Sequence, residues 1–416
     1  MAKAFLYITM VSLVFTDWLV FKLGTGNRYI TWIPEILSMV MIIYLVISAA
    51  ITKKVNLDAK YFIILIGYIF HIFMGLLFNP ISSGTVVAGL RLYLKFIPFF
   101  LLPAFYDFSE KEVGNFVRFM FFLSLIQCPV AFYQRFVSAA NIRGGDPVGG
   151  TLGMHTSGIL TVFLICGASF VIGYYLRNRV NLVWLVIFLG VLLAPTGLNE
   201  TKVTYLLLPP IFILPFIFSA RDRFKIKKIL PLALLMVFSF MAWKAGYDYF
   251  QIRDRGWGIE TFMSQKGRIE QYSSSRFLPI VSAYEFASKD MIHFLFGLGA
   301  GNVTGSFSEK MQGEYLKKYA KLNPKANGVS STIWELGVGG LLLIFAFLGV
   351  LFYDSIKHAS RSNYFGTFSV SMISVIAVFE VSFLYFHIMD QNIMTYPFFF
   401  LSGFIASGKY YSTAWE

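Results

Sequence analysis

Thr161-Val-Phe-Leu-Ile-Cys-Gly-Ala-Ser-Phe-Val-Ile-Gly-Tyr-Tyr-Leu176 runs without a single charged side chain, and Leu341-Leu-Leu-Ile-Phe-Ala-Phe-Leu-Gly-Val-Leu-Phe352 repeats the pattern later in the chain. Neither stretch alternates polar and apolar residues as a strand of a membrane barrel does. Inside a bilayer no water satisfies backbone N–H and C=O groups, so continuous apolar runs of this kind read as helices. Composition agrees: 57% hydrophobic, 18% aromatic and only 14% charged residues over 416 positions is far from soluble usage. At roughly 20 apolar residues per crossing, about twelve spans are expected, near 4–22, 29–51, 61–79, 85–106, 115–137, 157–176, 182–199, 203–220, 229–247, 332–353, 367–387 and 394–408. The expected fold class is all-α, a polytopic integral membrane protein. The first span, about Ala4–Val20, contains Asp17 and has no small-residue cleavage site behind it, so it reads as a retained helix.

Loop charge orients these spans, because Lys and Arg collect in short cytoplasmic loops. The basic loops hold Lys53, Lys54 and Lys60; Arg177 and Arg179; the run from Arg221 to Lys228; and Lys357 with Arg361. All are even-numbered connections if the N-terminus is cytoplasmic. Both termini then lie inside, and 79–84, 138–156, 199–202, 248–331 and 388–393 share the outer face. One of these, 248–331, is a large polar interruption, expected to be a folded cap with helices near 275–295 and 305–322. The expected divisions are 1–247 (nine spans), 248–331 (the extracytoplasmic loop) and 332–416 (three spans).

Several function classes drop out. Cys128 and Cys166 both fall in expected spans and suggest neither a disulfide framework nor a metal site. The five histidines are scattered, without metal-ligand spacing. A net charge of +13 would suggest nucleic acid in a soluble protein, but the basic residues sit mostly in short loops, where orientation in the membrane explains them.

Basic residues expected on the outer face or within spans are the sharpest signal. Arg91 lies inside the span beginning near 85, with Lys95 one helical turn on, so the two share a face. A charge at that depth costs on the order of 2.5–3.5 kcal/mol unless it lines a cavity or finds a partner. Arg135 and Arg143 flank or open the glycine-rich loop before residue 151, Lys202 follows Asn199-Glu-Thr201 at a span junction, and Arg276 opens the helical part of the cap. Converging cations suit a lipid pyrophosphate headgroup, which a guanidinium fork pairs with bidentately. The plain alternative is snorkelling to headgroups or pairing with acids such as Asp146 and Glu200. Glu200, Asp146 and Glu335 are candidate general bases, with His155 the one outer-face histidine near a boundary; helix capping or packing is the alternative for Glu335. Asp17, Glu35 and Glu380 lie in expected spans, where pairing with buried cations is their expected role. The glycines of Phe296-Gly-Leu-Gly-Ala-Gly301 follow no strand, which excludes a dinucleotide fingerprint. They read as a plain turn or as amides presented to an anion.

Gly149-Gly-Thr-Leu-Gly-Met-His155 before a span, Asn199-Glu-Thr-Lys202 at a junction, Arg276 about twenty residues ahead of Phe296-Gly-Leu-Gly-Ala-Gly301, and Trp334-Glu-Leu-Gly-Val-Gly-Gly340 entering a span occur in a telling order. In that order and placement the chain resembles the Wzy-type O-antigen polymerase and O-antigen ligase superfamily over about residues 85–353. The resemblance implies a GT-C-like fold and a metal-independent, inverting glycosyl transfer at the outer face of the bacterial inner membrane, with no cofactor. The donor it implies is a glycan on undecaprenyl diphosphate, and a chain-length regulator and membrane lipids are the further partners. Arg91, Lys202 and Arg276 map onto the cationic positions that would hold the pyrophosphate. With the residue-level reading, the expected catalytic set is Arg91, Arg276, Glu200 and Glu335, and the expected substrate-binding set is Lys95, Arg135, Arg143, His155 and Lys202.

Two positions depart from the pattern. Ala326-Asn327 stands where ligases carry His-Asn, which favours polymerase over transfer of finished polymer to lipid A core. Lys202 stands where the family commonly has arginine, which keeps the charge but loses the bidentate fork. A lipid-linked oligosaccharide flippase is the rival of another class, yet short loops on both sides would suit it better than a cap of this length. A scaffolding protein would leave Arg91 unexplained.

Overall fold

The computed structural model describes residues 2–22, 28–52, 55–138, 148–153, 156–199, 201–219, 226–250, 276–306 and 308–415. Among them there are helices and turns but no strand. In chain order the helices are α1 (Ala2–Lys22), α2 (Ile33–Thr52), α3 (Ala59–Phe78), α4 (Ser83–Leu94), α5 (Ile97–Phe105), α6 (Glu110–Tyr133), α7 (Ser157–Leu176), α8 (Leu182–Leu198), α9 (Thr204–Phe218) and α10 (Ile226–Phe250). They continue with α11 (Leu278–Ala287), α12 (Met291–Phe296), α13 (Glu314–Lys318), α14 (Gly328–Ala359), α15 (Tyr364–Tyr385), α16 (Asn392–Ala406) and α17 (Gly408–Ala414).

Each expected span coincides with one apolar helix, except that 85–106 is the pair α4 and α5, bent by 43°. Among the described residues seven helices (α2, α3, α6, α7, α10, α14 and α15) are long and apolar enough to cross a membrane, and the bent pair makes an eighth if taken as one span. The apolar part of α1, with α8, α9 and α16, is shorter. The bundle is apolar on its outside as well as its inside: Ile43, Ile63 and Phe238 on α2, α3 and α10 are each at least 60% exposed. Water would oppose a surface of that kind, whereas lipid accepts it, so the helices define a polytopic membrane protein. α7 and α15 lie at the centre, buried on nearly every face.

Start signals are local and conventional. Ser109 and Glu112 close a capping box on α6, Asn181 accepts from Trp184 N to open α8, and Asn327 accepts from Ser330 N to open α14. The cap segment departs from expectation. In place of one helix near 275–295, α11 and α12 are separate, because Asp290 takes an extended backbone and accepts from His293 N to start a new helix. In place of a helix near 305–322 there are short turns at Glu309–Met311, Glu314–Lys318 and Ala320–Leu322. Gly313 and Asn323 flank them, the latter in the left-handed conformation that ends a helical turn.

The connections gather at two ends of the bundle. At one end Asn79 donates to the Gly297 carbonyl, Asn199 to the Ser157 carbonyl, Gly328 N to the Phe386 carbonyl, and Lys325 pairs with Asp390. At the other, Asn56 N bonds Ala104, Asp58 N bonds Ala406, Arg177 bonds the Ala359 and Arg361 carbonyls, and Lys228 bonds the Leu176 carbonyl.

Candidate functional site

The bend between α4 and α5 builds the site. It falls at Lys95-Phe96, just before Pro98, whose missing N–H leaves the preceding turn unable to continue as regular helix. The opened Lys95 carbonyl accepts from Ser38 Oγ of α2 at 2.5 Å, which ties α2 to the bend. Glu35, in the first turn of α2, then falls between the two cations on one face of α4. Arg91 Nη1 donates to Glu35 Oε2 at 2.8 Å, and Lys95 Nζ stands 3.8 Å from Glu35 Oε1. The pairing expected for Glu35 is therefore present. Among the described residues Glu380 makes no ion pair, and the side chain of Asp17 lies outside them.

Arg91 and Glu35 form part of the wall of a cavity of about 260 Å³. The rest of the wall comes from α1 (Thr16), the turn before α2 (Trp32), the segment before α7 (Leu152 and Thr156), the cap (Ser306) and the α15–α16 connection (Asp390 to Ile393). Trp32 lies under the guanidinium, 5.8 Å from ring centre to Cζ. Two polar atoms here are buried with no hydrogen-bond partner, Arg91 Nε and Asn392 Oδ1. The same holds for polar atoms elsewhere in the bundle, such as Tyr68 Oη and Ser374 Oγ, so what distinguishes this wall is its polar lining.

Asp390 and Lys325 complete the charge. Lys95 Nζ donates to the Asp390 carbonyl at 3.3 Å, while the Asp390 carboxylate lies 3.5 Å from Lys325 Nζ and 3.8 Å from His387 Nδ1. Burial alone would raise the Asp390 pKa; Lys325, His387 and Lys95 outweigh it and hold the carboxyl well below its ordinary range. Three fixed cations thus face two carboxylates, a net positive site before His387 is counted.

Glu335 lies elsewhere. Its Oε1 accepts from Val303 N and Thr304 Oγ1, both at 2.8 Å, and it is fully buried in α14. It pins the glycine turn to α14, where Leu298 N also bonds the Trp334 carbonyl. A side chain at Gly301 would strike the Thr85 carbonyl, and one at Gly89 would strike Ala300, so these glycines serve close packing on α4. The amides of Leu298, Asn302, Val303 and Thr304 are bonded within this assembly, and the close approaches to α4 give the turn a packing role.

Arg276 sits beyond the cavity. Its Nη1 donates to the Ala326 carbonyl at 3.0 Å, its Cζ lies 5.1 Å over the Tyr385 ring, and Asn327 Nδ2 returns a bond to the Arg276 carbonyl. Residues 325–327 therefore link Arg276 on one side to Asp390 on the other. Lys202 lies at the same end, in the turn after Asn199, which bonds the first turn of α7; burial pushes its ammonium pKa down. Arg135 lies in the turn Gln134–Ser138, where Gln134 bonds both N and O of Gly150 and so docks the glycine-rich segment beside the cavity. Arg143, His155, Glu200 and Asp146 lie outside the described residues.

Arg91 and Lys95 are thus brought together as their spacing predicts, with Glu35 between them. Lys325, Asp390 and Trp32 were missed as site residues. Asp390 had one signal, a carboxylate immediately before a span in a connection assigned to the same face as the cap. Compared with known families and curated proteins, the chain matches no family model and no curated sequence.

Proposed function

We propose that this protein is a bacterial inner-membrane glycosyltransferase that polymerises oligosaccharide repeat units carried on undecaprenyl diphosphate. In this reading all twelve apolar segments cross the membrane, both termini are cytoplasmic, and the end of the bundle bearing the cavity is periplasmic. The observation that carries it is Arg91: a guanidinium on a bent apolar helix pair, held by Glu35 at 2.8 Å, lining a polar cavity with Lys95 beside it. At about 260 Å³ the cavity is just below the roughly 300–1,000 Å³ of small-ligand pockets. That suits a pyrophosphate and the sugar joined to it, with the rest of the glycan outside.

The residues then divide the work. A sugar hydroxyl of the acceptor unit attacks the anomeric carbon and its proton passes to solvent, while the anomeric C–O bond to the carrier breaks, its electron pair moves to the leaving oxygen, and Arg91, Lys95 and Lys325 neutralise the pyrophosphate. Charge stabilisation of this kind is commonly the largest catalytic contribution. Glu35 holds the two span cations in place between turnovers. Arg276 and Lys202 lie at the same end, where they would add to the hold on the lipid-linked donor. Ala326 in place of a ligase histidine supports polymerase, since its carbonyl is engaged by Arg276 and its side chain offers no base or phosphate ligand.

Deletion of the gene in its host tests this. Single repeat units on the acceptor with no ladder support polymerase. Bare acceptor with long polymer stranded on the lipid carrier would indicate ligase, and units trapped on the cytoplasmic side would indicate a flippase.

A further inference from the structure

At the end of the bundle opposite the cavity, a groove of about 730 Å³ opens between the end of α7, the start of α8 and the start of α10. Its wall has two unlike halves. Arg179, Lys228, Asn178 and Asn181 line one, and Trp184 and Phe188 line the other, their rings stacked with centroids 5.2 Å apart. Lys228 Nζ closes α7 by donating to the Leu176 carbonyl at 2.5 Å, so one cation of the groove is fixed by the fold. Arg179 is held more loosely, 3.7 Å from Glu110 at the rim and 5.1 Å above the Tyr364 ring. Among the described residues Glu110 is the acid that faces it, and a single exposed carboxylate at that distance contributes little.

We propose that this groove binds the phosphate headgroup of an anionic phospholipid. The cationic half matches a phosphodiester, and the aromatic half indicates lipid as its source. Trp184 is half exposed at the first turns of an apolar helix, with Val183 and Ile187 also facing outward along α8. Indole and phenyl rings at that level belong to the membrane–water boundary, and basic pockets between spans at such a boundary take anionic headgroups. A free phosphate ion would gain nothing from the aromatic wall. The inference is independent of the glycosyltransferase reading, since it needs only a membrane protein and lies at the other end of the molecule.

The test uses full-length protein in detergent, titrated with phosphatidylglycerol or phosphatidylcholine carrying brominated acyl chains, which quench nearby tryptophan. Wild type should show a quenching component that half-saturates at at least fivefold lower phosphatidylglycerol than phosphatidylcholine. Trp184→Phe should remove that component. Arg179→Gln should raise the half-saturating concentration at least fivefold, and Arg179→Lys should recover most of it, which guards against misfolding of the first variant. Equal response to the two lipids, persistence of the component in Trp184→Phe, or unchanged affinity in Arg179→Gln would overturn the proposal. So would displacement of phosphatidylglycerol by millimolar inorganic phosphate, which would make the groove a site for a free anion.

Discussion

Both ends of this bundle bury carboxylates beside cations, and the two arrangements differ in how completely they close. At one end Asp354 of α14 is sealed: Lys60 Nζ lies 2.6 Å from one oxygen and the Tyr61 hydroxyl donates to the other at 2.7 Å. At the other, Arg91 Nη1 meets Glu35 at 2.8 Å, but Glu35 and Asp390 meet their lysines only at 3.8 and 3.5 Å, and Arg91 Nε has no hydrogen-bond partner among the described residues. Asp354 lies against neighbouring helices, whereas Glu35 and Asp390 line an open cavity. A tight, saturated pair holds helices together. A loose, unsaturated one leaves bonding capacity for something else, at the cost of stability that close pairing would have given.

Substitution at each end separates these roles. The largest effect is expected from Arg91→Ala, which should lower polymer formation about 10²–10³-fold, the usual consequence of removing one charge-stabilising donor. Glu35 keeps Lys95 as partner, so membrane insertion and thermal unfolding should change little. Arg91→Lys should remain impaired if the fork geometry matters. Glycan ladders beside melting curves of the purified variants check both, and a variant that melts early while making full-length polymer would reverse the comparison. Asp354→Ala should do the opposite. It leaves the buried Tyr61 hydroxyl without its acceptor, costing about 1–3 kcal/mol. Lys60 adds little, because its side chain is 42% exposed and can turn outward. Polymer made per folded molecule should be unchanged.

The apolar helices were legible because a long run of apolar residues is written locally in the chain, and seven of those among the described residues are long enough to cross a membrane. Arg91 and Lys95 were legible as a pair because helical spacing places them on one face. The cap was read less well: a composition compatible with helix from 305 to 322 says nothing of the contacts that break it into turns, such as Gly313 N bonding the Thr304 carbonyl. Glu335 shows a further boundary. Its sequence neighbourhood favours packing over a base, and its bonds to Val303 and Thr304 show the partners that a packing role uses. Asp390 had a local signal of its own, but its pairing with Lys325 and its bond to Lys95 reach across the chain and are not written in any local pattern.

Lys325→Met probes the loose end through its acidity. Asp390 is held below its ordinary pKa of about 3.9, so its contribution is complete above that value and is lost only as pH falls through the lower folded value. Removing Lys325, the largest favourable influence, should move that loss to higher pH. The acid limb of the residual activity profile should shift upward while the neutral plateau also falls, and an acid limb identical to wild type would exclude Asp390 from the working site.

The smallest effect is expected at Lys202. Its pKa is lowered by burial, so the unfolded chain binds its proton more tightly than the folded one, and this residue's contribution to stability rises as pH climbs from the folded value toward the ordinary one near 10.4. Lys202→Met should abolish that rise, leaving a flatter alkaline limb in melting temperature against pH. If Lys202 belongs with the loose end, as its place beside Asn199 and the first turn of α7 suggests, the same variant should also weaken use of the lipid-linked donor. It should raise KM more than it lowers kcat, because a lysine that meets a bound phosphate contributes in the ground state as well as in the transition state. A flattened limb with unaltered KM would instead place Lys202 with the sealed contacts of the other end, as a residue of the fold.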